Sequence, residues 1–341
     1  MSLVAMVAVG LLGLSYGSSD VGGLATAWRL LAGTLGPAAR TIVVEIRLPR
    51  VFFASLVGAA LAAGGAVFQA VLRNPLADPY ILGISGGAAL GGTLLMSLGG
   101  GLVGVAGLGT LGAWIGAITP TVAAFVGALG TLAIIYGVDR WSPAGRTTTY
   151  VLLLTGVIVN AFASSVIMFL QSVVSARKAQ ELLFYLMGSL SVEGTPTATM
   201  VVVGVGITAA VAALMAFARD LNALSLGDEE AASLGVDVER TRWWTVGIAS
   251  LAVAFAVAYT GLIGFVGLVV PHGVRLVTGP DHRVLIPCCA FVGAAFLTFA
   301  DLLTRVAFPV FSTALPVGVV TAFIGAPLFL FFLWRNLGGR G

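Results

Sequence analysis

Ten long apolar runs, separated by short polar turns, set the pattern of this chain. They lie near residues 1–17, 51–71, 80–98, 112–137, 149–170, 197–218, 242–262, 265–277, 284–300 and 313–334. A helix of about 20 apolar residues has the length to cross a bilayer. The pattern predicts an all-α polytopic membrane protein with about ten transmembrane helices in a single domain over 1–341. The third and fourth runs form one stretch, Tyr80 to Gly137, that holds no charged residue and divides at the Gly-rich segment Gly99 to Gly112. The eighth run is short for a span. It suits a segment partly buried in protein, where its backbone polar groups find partners.

The turn Arg73-Asn74-Pro75-Leu76-Ala77-Asp78-Pro79 separates the second and third runs. Proline fixes φ, lacks an N–H and pushes the preceding residue out of the helical region. Two prolines four residues apart therefore end one helix and start the next, and so polar a turn belongs at a membrane face. Small residues recur every four positions on either side: Gly58, Ala62 and Ala66 before it, Gly83, Gly87 and Gly91 after it. Such faces let membrane helices approach closely. Gly261, Gly264 and Gly267 recur every three residues ahead of Pro271, which predicts a break between the seventh and eighth runs.

Composition fits this picture. The chain is 59% hydrophobic and 9% charged, against about 25% charged for a soluble domain. Net charge is +3, and Lys178 is the only lysine. The basic residues are scattered, which excludes a clustered nucleic-acid patch. Cys288 and Cys289 are adjacent and form no CxxC spacing, so they read as apolar core thiols. His272 and His282 are too few for a metal cage. The N-terminus has no basic region before its apolar run, so it reads as a first membrane helix and not as a cleaved signal. With the N-terminus inside, ten Arg lie on inside segments and seven Arg or Lys outside. That bias favours an N-in, C-in orientation, and leaves the outside arginines to be explained.

The longest polar segment is 219–242. Within it, Gly227-Asp228-Glu229-Glu230-Ala231-Ala232 suits a helix N-terminus, where acidic side chains meet the positive dipole end. Gly235 suits the stop. A short surface helix and a plain solvated loop are both compatible with these residues. No GxxxxGK[ST] loop, HExxH or GxSxG motif occurs. Within the apolar runs the nearest ionisable residue is Asp301, four residues before Arg305, as expected of an i, i+4 pair at a helix end. The chain thus reads as a membrane conduit with no energy source of its own. The alternative, an ion-coupled secondary transporter, requires a buried ionisable pair.

Four blocks carry a resemblance. They are Arg47-Leu48-Pro49-Arg50 with Val57-Gly58-Ala59-Ala60-Leu61-Ala62; Arg73 to Pro79 with Leu82-Gly83-Ile84-Ser85-Gly86-Gly87-Ala88; Gly264 to His272 with Gly279-Pro280-Asp281-His282-Arg283; and Leu315 to Thr321 with Ile324-Gly325-Ala326-Pro327. In this order the chain resembles the FecCD-type permeases. These are the transmembrane subunits of type II ABC importers for vitamin B12, haem and ferric siderophores.

The resemblance implies a permease subunit, not an enzyme, in a bacterial inner membrane. A second permease copy would share the pathway, two separate ATPase subunits would hold ATP and Mg, and a periplasmic binding protein would deliver the substrate. No cofactor is implied in this chain. By the same resemblance, Arg47, Arg50 and Arg305 would receive acidic residues of the binding protein. Leu226, Gly227, Asp228, Glu229, Glu230, Ala231, Ala232, Ser233, Leu234 and Gly235 would form the coupling segment that docks on the ATPase. Its Glu-Ala-Ala pattern departs from the general importer form, since Gly235 comes one residue early. Asn74, Leu76, Thr148 and Thr149 would form the inner gate. Asn160, Ser164, Met168 and Gln171 of the fifth run, with Val317, Thr321 and Phe323 of the tenth, would line the pathway.

Overall fold

The structure is a computed structural model that describes residues 2–17, 23, 26, 29, 32–103, 119–140, 149–190, 197–308, 313 and 315–338. Among these residues the chain is helical with no strand. α1 spans Ser2–Ser15 and α2 spans Pro37–Val71. α3 is Ile84–Val103, α4 Pro120–Arg140, α5 Thr149–Val173, α6 Ala176–Leu186 and α7 Thr197–Ala216. α8 is Ala218–Leu224, α9 Asp228–Ser233, α10 Val238–Thr260, α11 Val266–Thr278, α12 His282–Val306 and α13 Val317–Gly338. The apolar runs of the sequence are mostly helical in their described parts, and the third opens on a turn, Tyr80 to Gly83. Six helices (α2, α4, α5, α7, α10 and α12) are long and apolar enough to cross a membrane; α1, α3, α11 and α13 have shorter apolar stretches. Thr148 and most of the Gly99–Gly112 segment lie outside the described residues.

α2 is the central post, with every residue from Ala60 to Leu72 buried. Its alanines and glycines explain that position, because small side chains let neighbouring backbones come close on several sides. A Cβ on Gly58 would lie 2.2 Å from the Gly293 carbonyl oxygen of α12, and one on Gly65 would lie 2.0 Å from the Gly267 carbonyl oxygen of α11. α3 meets α4 in the same way: a Cβ on Gly87 would sit 2.6 Å from the Gly127 oxygen, and one on Gly91 2.2 Å from the Ala123 oxygen. The small-residue faces read from the sequence are therefore packing faces. α4, α5 and α7 are much less buried and form the flanks.

Helix ends follow local chemistry. Asp237 caps α10 by accepting from the Arg240 N–H at 3.0 Å, and Asp281 caps α12 by accepting from the Arg283 N–H at 3.0 Å. Within α2, Ile42–Arg47 is a π-helical stretch that ends at Arg47. Such widened turns cluster at functional positions. The expected break between the seventh and eighth runs is present. α10 stops at Thr260, Gly261 has φ 72, and α11 starts after Phe265 at φ 69. Phe265 takes that left-handed backbone with its side chain against α13; a Cβ on Gly325 would lie 2.4 Å from the Phe265 Cβ. Gln69, the interior glutamine of α2, donates from Nε2 to the Leu268 carbonyl at 3.2 Å, just after this break.

Candidate functional site

The α2–α3 turn is built from side-chain-to-backbone bonds. Asn74 Oδ1 accepts from the Leu76 N–H at 2.9 Å, and Asp78 Oδ1 accepts from the Tyr80 N–H at 2.8 Å. These are two successive Asx turns. Ala77 and Pro79 are buried, while Leu76 is 43% exposed. The turn thus buries Pro79 and leaves Pro75 and Leu76 facing outward. Arg73 starts it at φ 46, in the left-handed region that a residue with a Cβ rarely adopts. The far side is tied to α5, where Asn160 Nδ2 donates to the Tyr80 carbonyl at 2.5 Å. Asp78 is partly exposed as a residue, yet burial of its carboxylate pushes the pKa up to about 6, against the opposing pull of the Tyr80 N–H.

Beside this turn lies the acidic segment, which forms a helix and not a plain loop. α9 runs from Asp228 to Ser233 and ends in a Schellman motif: the Gly235 N–H bonds the Ala232 carbonyl at 3.0 Å and the Val236 N–H bonds the Ala231 carbonyl at 3.1 Å. Gly235 has φ 84, which is why a glycine stands there. Ala231 is fully buried and anchors the helix. Glu229, Glu230, Ala232, Ser233, Leu234 and Gly235 are exposed, as is Leu226 before them, and Gly227 is half-buried. Asp228 is held from two sides. Arg242 of α10 donates to both its oxygens at 2.9 and 3.1 Å, and Arg73 of the α2–α3 turn pairs with Oδ1. Arg73 Nε also donates to the Leu224 carbonyl at the end of α8, at 2.9 Å.

A second charged cluster lies in the first half of α2, around Arg47 and Arg50. The 24 residues from Leu48 to Val71 make a helix of about 36 Å, so the two clusters stand on opposite ends of the bundle. Asp301 is fully buried there. Arg50 bonds its Oδ1 at 2.9 Å and Arg305 Nε lies 3.1 Å from its Oδ2, so the expected i, i+4 pair exists and takes a third member. The arginines differ in exposure. Arg50 keeps a quarter of its side chain exposed. Arg47 and Arg305 are buried and donate to the C-terminal carbonyls of α1: Arg47 Nη1 to Leu14 at 3.0 Å, Arg305 Nη1 to Gly13 at 3.0 Å and to Tyr16 at 3.3 Å. All three are expected to meet acidic residues of a binding protein, and of the three Arg50 is the most exposed. Two of them point inward, because the free carbonyls at the end of α1 need donors and attract cations.

Pathway candidates divide by helix face. Ser164 and Met168 are exposed on α5, Asn160 and Gln171 are half-buried, and Phe323 is 77% exposed on α13. Val317 and Thr321 are buried on the inward face of α13, where the Thr321 hydroxyl donates back to the Gly318 carbonyl at 3.0 Å. These two pack within the chain and do not lie on the open face with Phe323. Thr149 is the first residue of α5.

The model of the FecCD transport family matches residues 5–335 of this chain. The chain belongs to that family. Among FecCD relatives, the cobalamin import system permease BtuC of Halobacterium salinarum is 44% identical over 86% of this chain and 74% of its own length. The hemin transport system permease HmuU of Yersinia pestis is 36% identical over 95% and 92%. A solved ABC transporter assigned to the metal-chelate type, in an inward-facing conformation, superposes with a TM-score of 0.81, at 28% identity over 98% of this chain and 97% of that one. As a FecCD protein, the chain has an importer-permease fold and is a transport subunit, not an enzyme. Within this FecCD chain, sequence reasoning passed over Arg242 and treated Arg73 only as part of a turn. Their signal is weak, since their partner Asp228 is 14 and 155 residues away respectively. It also missed Asp301 as the hub for Arg50, 251 residues away.

Proposed function

We propose that the chain is the membrane half of an ATP-driven importer for a metal chelate of the cobalamin, haem or ferric siderophore class. Two copies enclose the pathway in a bacterial cytoplasmic membrane, with both termini of each copy inside. Separate ATPase subunits dock on α9 and carry the ATP and Mg. A periplasmic binding protein docks at the opposite end, with Arg50 as the arginine of that cluster that retains exposure. The inner gate is the turn bearing Asn74 and Leu76, joined by Thr149 at the start of α5 and by Thr148, its neighbour in sequence. Ser164, Met168 and Phe323 face the pathway.

The observation that carries this reading is the placing of an exposed acidic helix directly against the proline-locked turn at one end of a bundle that carries a partly exposed arginine at the other. A secondary carrier requires a buried ionisable pair along its path. The buried Asp301 cluster instead sits at helix ends and holds the end of α1, which is a structural duty. The test is reconstitution with the ATPase subunits in proteoliposomes and a panel of binding proteins loaded with cobalamin, haem or a ferric siderophore. The cobalamin-loaded protein is tried first, given the Halobacterium relative. ATP hydrolysis should rise with one loaded binding protein and uptake should require ATP. Uptake driven by an ion gradient without the ATPase would overturn the reading.

A further inference from the structure

The Arg73–Asp228 pair joins two elements: the proline-locked turn and α9. Asp228 is the first residue of α9, and Arg242, itself buried on α10, fixes its other side. Arg73 therefore grips an anchored carboxylate. Its Nε is held as well, by the Leu224 carbonyl. The turn behind Arg73 is stiff, since Asn74 and Asp78 bond its backbone and Pro75 and Pro79 fix its φ angles. Beyond the turn, the Tyr80 carbonyl takes the Asn160 amide of α5, and a Cβ on Gly83 would lie 2.9 Å from the Gly156 carbonyl oxygen. The contacts run unbroken from α9 through Arg73 and the turn to α5.

We propose that Arg73 is the positioning residue that transmits displacement of α9 to the Leu76 turn and to α5. The proposal rests on the reading of α9 as the ATPase-docking helix. Arg73 is held by two separate bonds, one to Asp228 at the start of α9 and one to the Leu224 carbonyl at the end of α8, so a displacement of α9 bears on it directly. Arg242 has a different duty. It holds Asp228 to α10, donating to both carboxylate oxygens.

The test uses the complete transporter, with its ATPase subunits, in proteoliposomes. Arg73→Gln removes the charged fork, and Arg73→Gly does so in a residue that accepts φ 46 without cost. In both variants the substrate moved per ATP hydrolysed should fall at least roughly tenfold, the scale of an ordinary coupling between sites. Arg73→Lys should recover part of it. A cysteine replacing Leu76, in a background lacking Cys288 and Cys289, should form cross-links whose yield changes with nucleotide in the parent and stays constant in Arg73→Gln. A purely structural arginine would lower yield or stability without flattening that nucleotide response. The proposal is overturned if either variant keeps the parental transport-to-hydrolysis ratio, or if its cross-linking still follows nucleotide. Absence of ATP-dependent uptake in the parent itself would instead sink the importer reading on which it rests.

Discussion

Gly58 and Gly293 meet backbone to backbone: a Cβ on Gly58 would fall 2.2 Å from the Gly293 carbonyl oxygen and 2.9 Å from the Leu297 Cβ. The two nearest atoms are Gly293 backbone, which cannot rotate out of the way. Gly58→Val should therefore force α2 and α12 apart and cost more than the usual ~1–3 kcal/mol of overpacking. Gly130→Ala, with nothing within 4 Å of the added Cβ, is the control and should be tolerated. Thermal unfolding in detergent measures both.

Asp301 should be the most costly carboxylate to remove. Asp301→Asn leaves Arg50 and Arg305 facing a neutral group in a buried site, and breaking such a cluster costs about 3–5 kcal/mol. Denaturant unfolding that finds Asp301→Asn within about 0.5 kcal/mol of the parent, the range of an ordinary surface change, contradicts that role.

Arginine exposure separates docking from structure. Arg50→Glu should weaken binding-protein affinity about tenfold or more at low ionic strength, as expected for a partly desolvated interface charge, and less at high salt. Arg47→Ala and Arg305→Ala should act on stability instead, since both hold the end of α1. Affinity is read by titration in nanodiscs. An unchanged affinity for Arg50→Glu at low salt removes the docking role.

Asp78 gives a pH dependence with a definite sign. Burial raises its folded pKa from the ordinary 3.8 to about 6. A raised carboxylate favours the folded form when protonated. Its contribution is thus fully present below about pH 4 and is lost as pH rises to about 6. Asp78→Asn keeps an acceptor for the Tyr80 N–H and removes this slope. The variant should be more stable than the parent at pH 7, with the difference vanishing near pH 4. Unfolding midpoints measured across pH 4 to 7 check it, and a parallel pair of curves refutes it.

Local chemistry was legible in the sequence; long-range partnership was not. α9 and its stop at Gly235, the break before α11 and the small-residue faces of α2 and α3 all follow from residues within a few positions of each other. The fate of Arg47 and Arg305 did not, because their acceptors are carbonyls at the end of α1, 33 and 292 residues away, and any sequence supplies carbonyls. Helix facing in α13 is not legible for a related reason. Apolar residues cover all sides of a membrane helix, so Val317 and Thr321 cannot be told from Phe323 by periodicity.

Phe265 carries a last consequence. A non-glycine residue in a sparsely populated backbone region holds roughly 1–3 kcal/mol of strain, and it persists only while its surroundings enforce it. Here the neighbouring surface is Gly325 of α13, where an added Cβ would lie 2.4 Å from the Phe265 Cβ and 2.8 Å from its Cγ. Any motion that withdraws α13 lets the backbone between α10 and α11 relax. The break is thus a preloaded spring, compressed by one helix and released by its departure.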